Sequence, residues 1–199
     1  MTRPPRWITD TSPGHSEWYV ERFRQMAADG DDLFGEARFI DATVGRGARI
    51  LDAGCGPGRV GGYLHTVGHR VTGVDVDPVL IEAAQADYPG PDWRVGDLTE
   101  LDLRDDDGSR STFDAIVCAG NVLAFVAPET EALVLNRLAD HLAPEGRLTV
   151  GFHVAKLALD DFDTALAETG LVLDLRLATW AVHPWHDGAD FAVSVLRHG

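Results

Sequence analysis

The residues best suited to holding a ligand form a glycine-rich segment at the end of a short apolar run. Asp52, Gly54, Gly56 and Gly58 lie within the segment Ile50-Leu51-Asp52-Ala53-Gly54-Cys55-Gly56-Pro57-Gly58-Arg59. Glycines allow a sharp backbone turn and let a ligand approach where a Cβ atom would collide. A helix that starts after such a turn offers unpaired N–H groups to a carboxylate or phosphate. The segment therefore predicts a strand, a tight turn and a helix N-terminus that together form a ligand site.

Two further carboxylates stand at or just after the ends of the next two predicted strands. Asp75 follows the glycines by about 20 residues, where a carboxylate can accept both hydroxyls of a ribose. Asp97 comes after Gly96, just beyond the third predicted strand, and its carboxylate can accept from an exocyclic amine such as that of adenine. Open α/β sheets bind ligands at the carboxyl ends of their strands. The two carboxylates therefore indicate a nucleoside-containing ligand.

The elements that would position these residues alternate between short apolar runs and helical segments, which is typical of βαβ units and a parallel sheet. The predicted strands are 48–53, 70–75, 92–95, 113–118 and 146–152. The predicted helices between and after them are 57–67, 78–88, 129–142 and 157–169. Two longer β-like runs, 171–182 and 190–197, are joined by a short loop. We expect them to be antiparallel, because a parallel return needs a crossover of about a dozen residues.

Two helical stretches, 16–28 and 33–43, precede the first predicted strand. Trp18, Tyr19 and Phe23 share one side of the first stretch. It is expected to be either a lid over the ligand site or an additional packed helix. We predict one domain over residues 1–199, with an N-terminal extension at 1–47 and a core at 48–199.

Composition excludes several classes of partner. The formal net charge of -15, from 32 acidic and 17 basic residues, opposes binding to nucleic acid or anionic lipid. Cys55 and Cys118 lie far apart and predict neither a disulfide framework nor a zinc site. No apolar run approaches the ~20 residues that span a bilayer. We therefore expect a cytoplasmic protein.

Five segments together resemble the class I S-adenosylmethionine-dependent methyltransferases. The matching segments are Leu51–Gly58, Gly73–Pro78, Gly96–Leu98, Phe113–Val117 and Leu142–Leu148. The resemblance covers roughly residues 48–199 and implies a Rossmann-like α/β fold. That fold has a seven-stranded, mostly parallel sheet with helices on both faces and a C-terminal antiparallel strand pair.

The resemblance also implies S-adenosylmethionine as the cofactor and assigns roles within its site. Asp52 would support the turn, and Gly54, Gly56 and Gly58 would pass beneath the methionine moiety. Asp75 would hold the ribose. The remaining cofactor contacts are assigned to Val76, Asp97, Leu98, Ala119, Gly120 and Asn121.

The implied reaction is in-line transfer of the methyl group to a small-molecule acceptor. The sequence assigns no catalytic residue, because an activated sulfonium makes a base optional. His153 is either such a base or a structural histidine. The candidates for contacting the acceptor are Trp18, Tyr19, Phe23, Phe125, His153 and Trp185.

Two other functions fit parts of the sequence. Gly56, Gly58 and Gly61 also match a dinucleotide fingerprint, and Asp75 would serve an NAD ribose equally well, so a small NAD(P)-dependent oxidoreductase is an alternative. Asp52, the Gly96–Asp97 pair, the antiparallel ending and the absence of a Tyr-x-x-x-Lys motif favour the methyltransferase. A cofactor-binding regulatory protein without turnover is a third hypothesis.

No metal site is predicted from His183, His186 and Asp187. The two histidines lie in a proline-containing loop, and no convincing third ligand accompanies them. Asp77, next to Pro78, is expected to cap the helix that follows it.

Overall fold

The computed structural model describes residues 3–199, and its centre is a seven-stranded sheet. The strands are β1 (Arg49–Ala53), β2 (Arg70–Asp75), β3 (Asp92–Val95), β4 (Phe113–Cys118), β5 (Leu142–His153), β6 (Leu171–Leu177) and β7 (Phe191–His198). Their order across the sheet is β3-β2-β1-β4-β5-β7-β6. The first five strands are parallel, and β7 runs antiparallel to both β5 and β6. This confirms the predicted sheet and its antiparallel ending.

Eight α-helices and one 3₁₀ turn accompany the sheet in the described part of the chain. The helices are α1 (Arg6–Thr9), α2 (His15–Ala28), α3 (Gly35–Thr43), α4 (Arg59–Thr66), α5 (Pro78–Asp87), α6 (Val122–Phe125), α7 (Glu131–Asp140) and α8 (Leu159–Ala167), and the 3₁₀ turn is Leu98–Glu100. Met1 and Thr2, where the predicted extension begins, lie outside the described residues. Within residues 3–199, no helix has the length and apolar character needed to cross a membrane.

Apolar clusters cover both faces of the sheet, as the helices on both sides require. One cluster centres on the fully buried Phe152 and Phe162 and includes side chains of α7 and α8. The other contains Ile40 of α3, Ile50 of β1 and Leu64 of α4. Strands covered on both faces consist of near-continuous apolar residues, and β1 fits this rule because Ile50, Leu51 and Ala53 are apolar and buried.

Several predicted boundaries were wrong, and local backbone geometry explains three of the differences. Helix α4 begins at residue 59 instead of 57, because Gly58 has a left-handed φ of +84° and belongs to the turn. Strand β5 begins at residue 142 instead of 146, because Leu142 already pairs with Phe113 of β4. A register shift between Phe113 and Ala115 then lets the pairing of β4 and β5 continue. Strand β6 ends at residue 177 instead of 182, because the Ala178 amide donates to the His183 carbonyl and the chain turns back.

Trp93 determines how closely β2, β3 and α4 pack. It is paired with Gly73 across the β2–β3 ladder, and its indole N–H donates to the Tyr88 carbonyl at 2.9 Å. A Cβ atom at Gly73 would overlap the Trp93 ring, and Cβ atoms at Gly58 and Gly61 would lie 3.0 Å and 2.9 Å from it. These glycines therefore make the space that the indole fills.

Gly73→Ala is expected to destabilise the fold by about 1–3 kcal/mol, because the added methyl group overpacks the buried Trp93 ring. The free energy of unfolding in urea measures the effect. Gly45→Ala is the matched control, since a Cβ atom there meets nothing within 4 Å and its φ is not positive. Equal stability of the two variants would contradict the packing role assigned to Gly73.

Candidate functional site

The predicted ligand-binding residues converge at the carboxyl ends of β1 to β4. They surround a cavity of about 880 Å³, its open mouth included. Nine of the predicted residues line it: Asp52, Gly54, Gly56, Asp75, Val76, Asp97, Leu98, Ala119 and Gly120. Two do not. Gly58 lies beneath Trp93, and the Asn121 carboxamide accepts from the His153 amide at 2.7 Å.

The glycine turn between β1 and α4 adopts a backbone that only glycine accommodates without strain. Gly54, Gly56 and Gly58 have φ angles of +75°, +53° and +84°, in the left-handed region that L side chains avoid. A Cβ atom at Gly54 would also overlap Val122 of α6. The turn therefore brings bare backbone to the wall of the cavity.

The amides of this turn are used within the protein. Those of Gly54 and Cys55 both donate to the Val74 carbonyl, at 2.8 Å and 3.0 Å. The Gly56 amide donates to the Asp75 carboxylate at 2.8 Å. The amides of these three residues therefore all have partners within the protein.

Asp52 anchors the turn from below. Its side chain is buried, and its Oδ2 accepts from the Gly61 amide in α4 at 2.8 Å. Burial raises the pKa of this carboxyl to about 7, because desolvation disfavours the charged form more than the Gly61 amide favours it. Asp52 thus connects the end of β1 to the first turn of α4.

Asp75 connects the same turn to the end of β2. Its Oδ2 accepts from the Gly56 amide, and its Oδ1 accepts from the Asp77 amide at 3.0 Å. The residue is 9 % exposed and lines the cavity. Burial raises its pKa to about 6, while the amide hydrogen bonds oppose the shift.

Asp97 lies at the end of β3 and keeps one oxygen available. Its Oδ1 accepts from the Thr99 amide and hydroxyl, at 2.8 Å and 2.9 Å, and so caps the 3₁₀ turn. Its Oδ2 makes no hydrogen bond to a described residue. The carboxylate is therefore held in place with an acceptor atom to spare.

An N-terminal cover, residues 5–23, lies across the cavity and contributes Pro5, Trp7, Tyr19 and Phe23 to its lining. One of its attachments is to Asp77, just after β2. The Trp7 indole N–H donates to Asp77 Oδ2 at 2.8 Å, and the Ser16 hydroxyl donates to the same oxygen.

Asp77 also caps α5, as the sequence predicted, by accepting from the Val79 amide at 2.9 Å. Its second function, holding the N-terminal cover, was missed. Trp7 was missed with it, because no helix or strand was predicted before residue 16. The one signal available was the aromatic residue in that segment.

The other candidates from the sequence divide into two groups. Tyr19, Phe23 and Phe125 line the cavity, whereas Trp18 is 54 % exposed and does not. Exposed His153 packs edge-on against Phe191 at 4.8 Å and also lies outside the lining.

Trp185 likewise lies outside the lining and stacks beneath the Arg176 guanidinium at 5.9 Å. Exposed His183 and His186 belong to no group of three metal-ligating side chains, and residues 3–199 contain no such group.

Arg59 is a lining residue that sequence reasoning did not select. Its guanidinium forms a bidentate salt bridge with Glu36 of α3, at 2.7 Å and 2.8 Å, and also donates to the Leu33 carbonyl. It lies 5.4 Å from the centre of the Phe23 ring. Its charge is therefore already balanced within the protein.

Comparison with known proteins identifies the family. A family model described as a methyltransferase domain matches residues 50–146. A TehB-like S-adenosylmethionine-dependent methyltransferase of known structure from Corynebacterium glutamicum is 42 % identical. It superposes with a TM-score of 0.88 over 94 % of this chain and 100 % of its own.

Two curated relatives are more distant. A malonyl-[acyl-carrier protein] O-methyltransferase from Erwinia billingiae is 34 % identical over 58 % of this chain and 43 % of its own length. A ubiquinone biosynthesis O-methyltransferase from Xanthomonas axonopodis pv. citri is 30 % identical over 71 % of this chain and 56 % of its own. The chain thus matches about half the length of these relatives. None of the three is an oxidoreductase, and the glycine turn, the sheet order and these matches agree: the chain belongs to the class I S-adenosylmethionine-dependent methyltransferases.

Proposed function

We propose that this protein transfers the methyl group of S-adenosylmethionine to a small-molecule acceptor by in-line displacement. The observation that supports the proposal most strongly is the convergence of Asp75, Asp97 and the glycine turn on one cavity. Each comes from a different strand end, and together they match the sugar, the purine and the amino-acid tail of the cofactor.

The described residues fit this cofactor. Asp75 is assigned to the ribose hydroxyls, and Asp97 with the Leu98 backbone to the adenine. Asp97 Oδ2 is available to accept from an exocyclic amine. A Cβ atom at Gly120 would meet nothing within 4 Å, so the backbone there leaves room for a ligand.

The glycine turn is assigned to the methionine moiety, with Ala119 and Gly120 on its other side. Val76, which also lines the cavity, is assigned to the nucleoside. Asp52, Gly58 and Asn121 are assigned supporting roles, because they hold the turn and the loop after β4 in place.

The lining favours a small, partly apolar acceptor. Trp7, Phe23 and Phe125 present aromatic surface to the cavity, and the N-terminal cover restricts access. Two of the relatives, a malonyl-[acyl-carrier protein] O-methyltransferase and a ubiquinone biosynthesis O-methyltransferase, are compatible with a small acceptor. The net charge of -15 argues against nucleic acid as the acceptor. Action in the cytoplasm stays a prediction.

The protein's part in the reaction is to orient the reactants and exclude water. When bound, the cofactor supplies a methyl group on a positively charged sulfur, which an acceptor nucleophile can displace. Positioning two reactants can supply ~7–11 kcal/mol of a barrier. Among the described lining residues the carboxylates are assigned to the turn and the nucleoside, and His153 lies outside the lining. The proposed mechanism therefore uses no dedicated base.

Isothermal titration with S-adenosylmethionine and S-adenosylhomocysteine, followed by a screen of small acceptors for product, tests the proposal. We expect each ligand to bind with a stoichiometry of one per chain, and we expect methyl transfer to at least one partly apolar acceptor. Absence of binding by the folded protein would reject the proposed function. Tight binding with no product across a broad screen would favour the regulatory alternative.

The affinity for S-adenosylhomocysteine is expected to depend on the ionisation of Asp75. An ionised carboxylate can accept from both ribose hydroxyls, and its pKa of about 6 lies above the ordinary value of 3.8. The dissociation constant should be nearly constant above pH 7 and should rise up to about tenfold per unit below pH 6. Isothermal titration between pH 5 and 7.5 measures this dependence.

Asp75→Asn should flatten that profile and weaken binding by about 1–3 kcal/mol at pH 7.5. Asp92→Asn is the control, because Asp92 is a half-exposed carboxylate at the start of β3 that pairs with Arg94. It should keep the wild-type profile. A pH profile that survives in the Asp75 variant would show that another group binds the ribose.

A further inference from the structure

The methionine tail of the proposed cofactor carries a carboxylate, and a carboxylate in a cavity needs hydrogen-bond donors. The glycine turn, which is assigned to the methionine tail, supplies few free hydrogen-bond donors. The amides of Gly54 and Cys55 are bonded to the Val74 carbonyl, and that of Gly56 to Asp75. Recognition of the carboxylate must therefore depend largely on other groups.

Among the lining side chains that carry a donor, the Trp7 indole is bonded to Asp77 and the Cys55 thiol to the Gly56 carbonyl, which leaves Arg59 and Tyr19. The Arg59 guanidinium is already committed to Glu36 and to the Leu33 carbonyl. Using it for the ligand would compete with a bidentate ion pair that is mostly shielded from water, with side chains 15 % and 18 % exposed. Tyr19 has no such commitment, because its hydroxyl makes no hydrogen bond to a described residue.

Tyr19 also lies at the right place. Its ring carbon Cε1 is 3.8 Å from where a Cβ atom of Gly56 would be, so the phenol lies against the glycine turn. Trp7 and Phe23 hold the ring by edge-on contacts, with centroids 5.3 Å and 5.0 Å away. The Trp7 and Ser16 hydrogen bonds to Asp77 fix the helix that carries it.

The electrostatic environment keeps the Tyr19 hydroxyl protonated, and therefore a hydrogen-bond donor. Burial raises the pKa of Tyr19 above its usual value, and Arg59 opposes the shift only in part. The Asp75 carboxylate raises the pKa further. A phenol with a raised pKa stays protonated at neutral pH, so it can donate to an anion and does not act as a base.

We propose that the Tyr19 hydroxyl donates a hydrogen bond to the carboxylate of the methionine moiety and is thereby a cofactor-binding residue. This inference rests on the proposed function. It makes α2 a part of the binding site and links closure of the N-terminal cover to the presence of an amino-acid tail on the nucleoside.

The test compares two ligands that differ in that tail. S-adenosylhomocysteine carries the amino-acid carboxylate, and 5′-methylthioadenosine has only the nucleoside and a thioether. Tyr19→Phe should weaken S-adenosylhomocysteine binding about tenfold, as expected for one hydrogen bond to a charged group. Binding of 5′-methylthioadenosine should change less than about twofold, because the aromatic ring is retained.

Tyr63→Phe is the matched control, because Tyr63 stacks on Phe34 at 4.9 Å and does not line the cavity. It should leave both affinities unchanged. An equal loss for both ligands in Tyr19→Phe would overturn the proposal and place the hydroxyl on the nucleoside. No loss for either would also overturn it. Failure of the wild-type protein to bind either nucleoside would instead reject the proposed function.

Discussion

Two hydrogen bonds accepted by the Asp75 carboxylate hold the parts of the site together. Through one oxygen it holds the glycine turn at Gly56, and through the other it holds the start of α5 at the Asp77 amide. Asp77 in turn binds Trp7 and Ser16 of the N-terminal cover. A single carboxylate therefore joins the end of β2 to the turn below the cavity and, through one neighbour, to the cover above it.

This arrangement is electrostatically costly without a ligand. Asp52 and Asp75 are both buried, and burial raises the pKa of both. A nearby acid raises each pKa further, Asp75 in the case of Asp52 and Asp77 in the case of Asp75. Arg59 lowers the pKa of Asp52 but does not offset the effect of burial. A positively charged ligand with hydroxyl donors offsets this cost. The site thus illustrates how local rules of stability are broken where a protein binds its ligand.

Much of this structure could be predicted from the sequence because its signals are local. Alternating apolar runs and glycine positions predict the parallel strands, and the short connection after β6 predicts the antiparallel pair. The positions of Asp75 and Asp97 at or after strand ends were enough to place both beside the cavity.

What could not be predicted depends on contacts between distant segments. Trp7 binds Asp77 across 70 residues, Arg59 pairs with Glu36 of a different helix, and Trp93 requires glycines on two other elements. Trp18 and Tyr19 are adjacent in sequence, yet only Tyr19 lines the cavity, because α2 is held by contacts of Ser16 with Asp77 and of Arg24 with Asp87.

A crystal structure of the complex with S-adenosylhomocysteine would show directly where the ribose binds. We expect the Asp75 carboxylate to lie within hydrogen-bond distance of both ribose hydroxyls, with the adenine amine beside Asp97 and the amino-acid tail along the glycine turn. A nucleoside bound elsewhere, or one whose ribose makes no contact with Asp75, would contradict it.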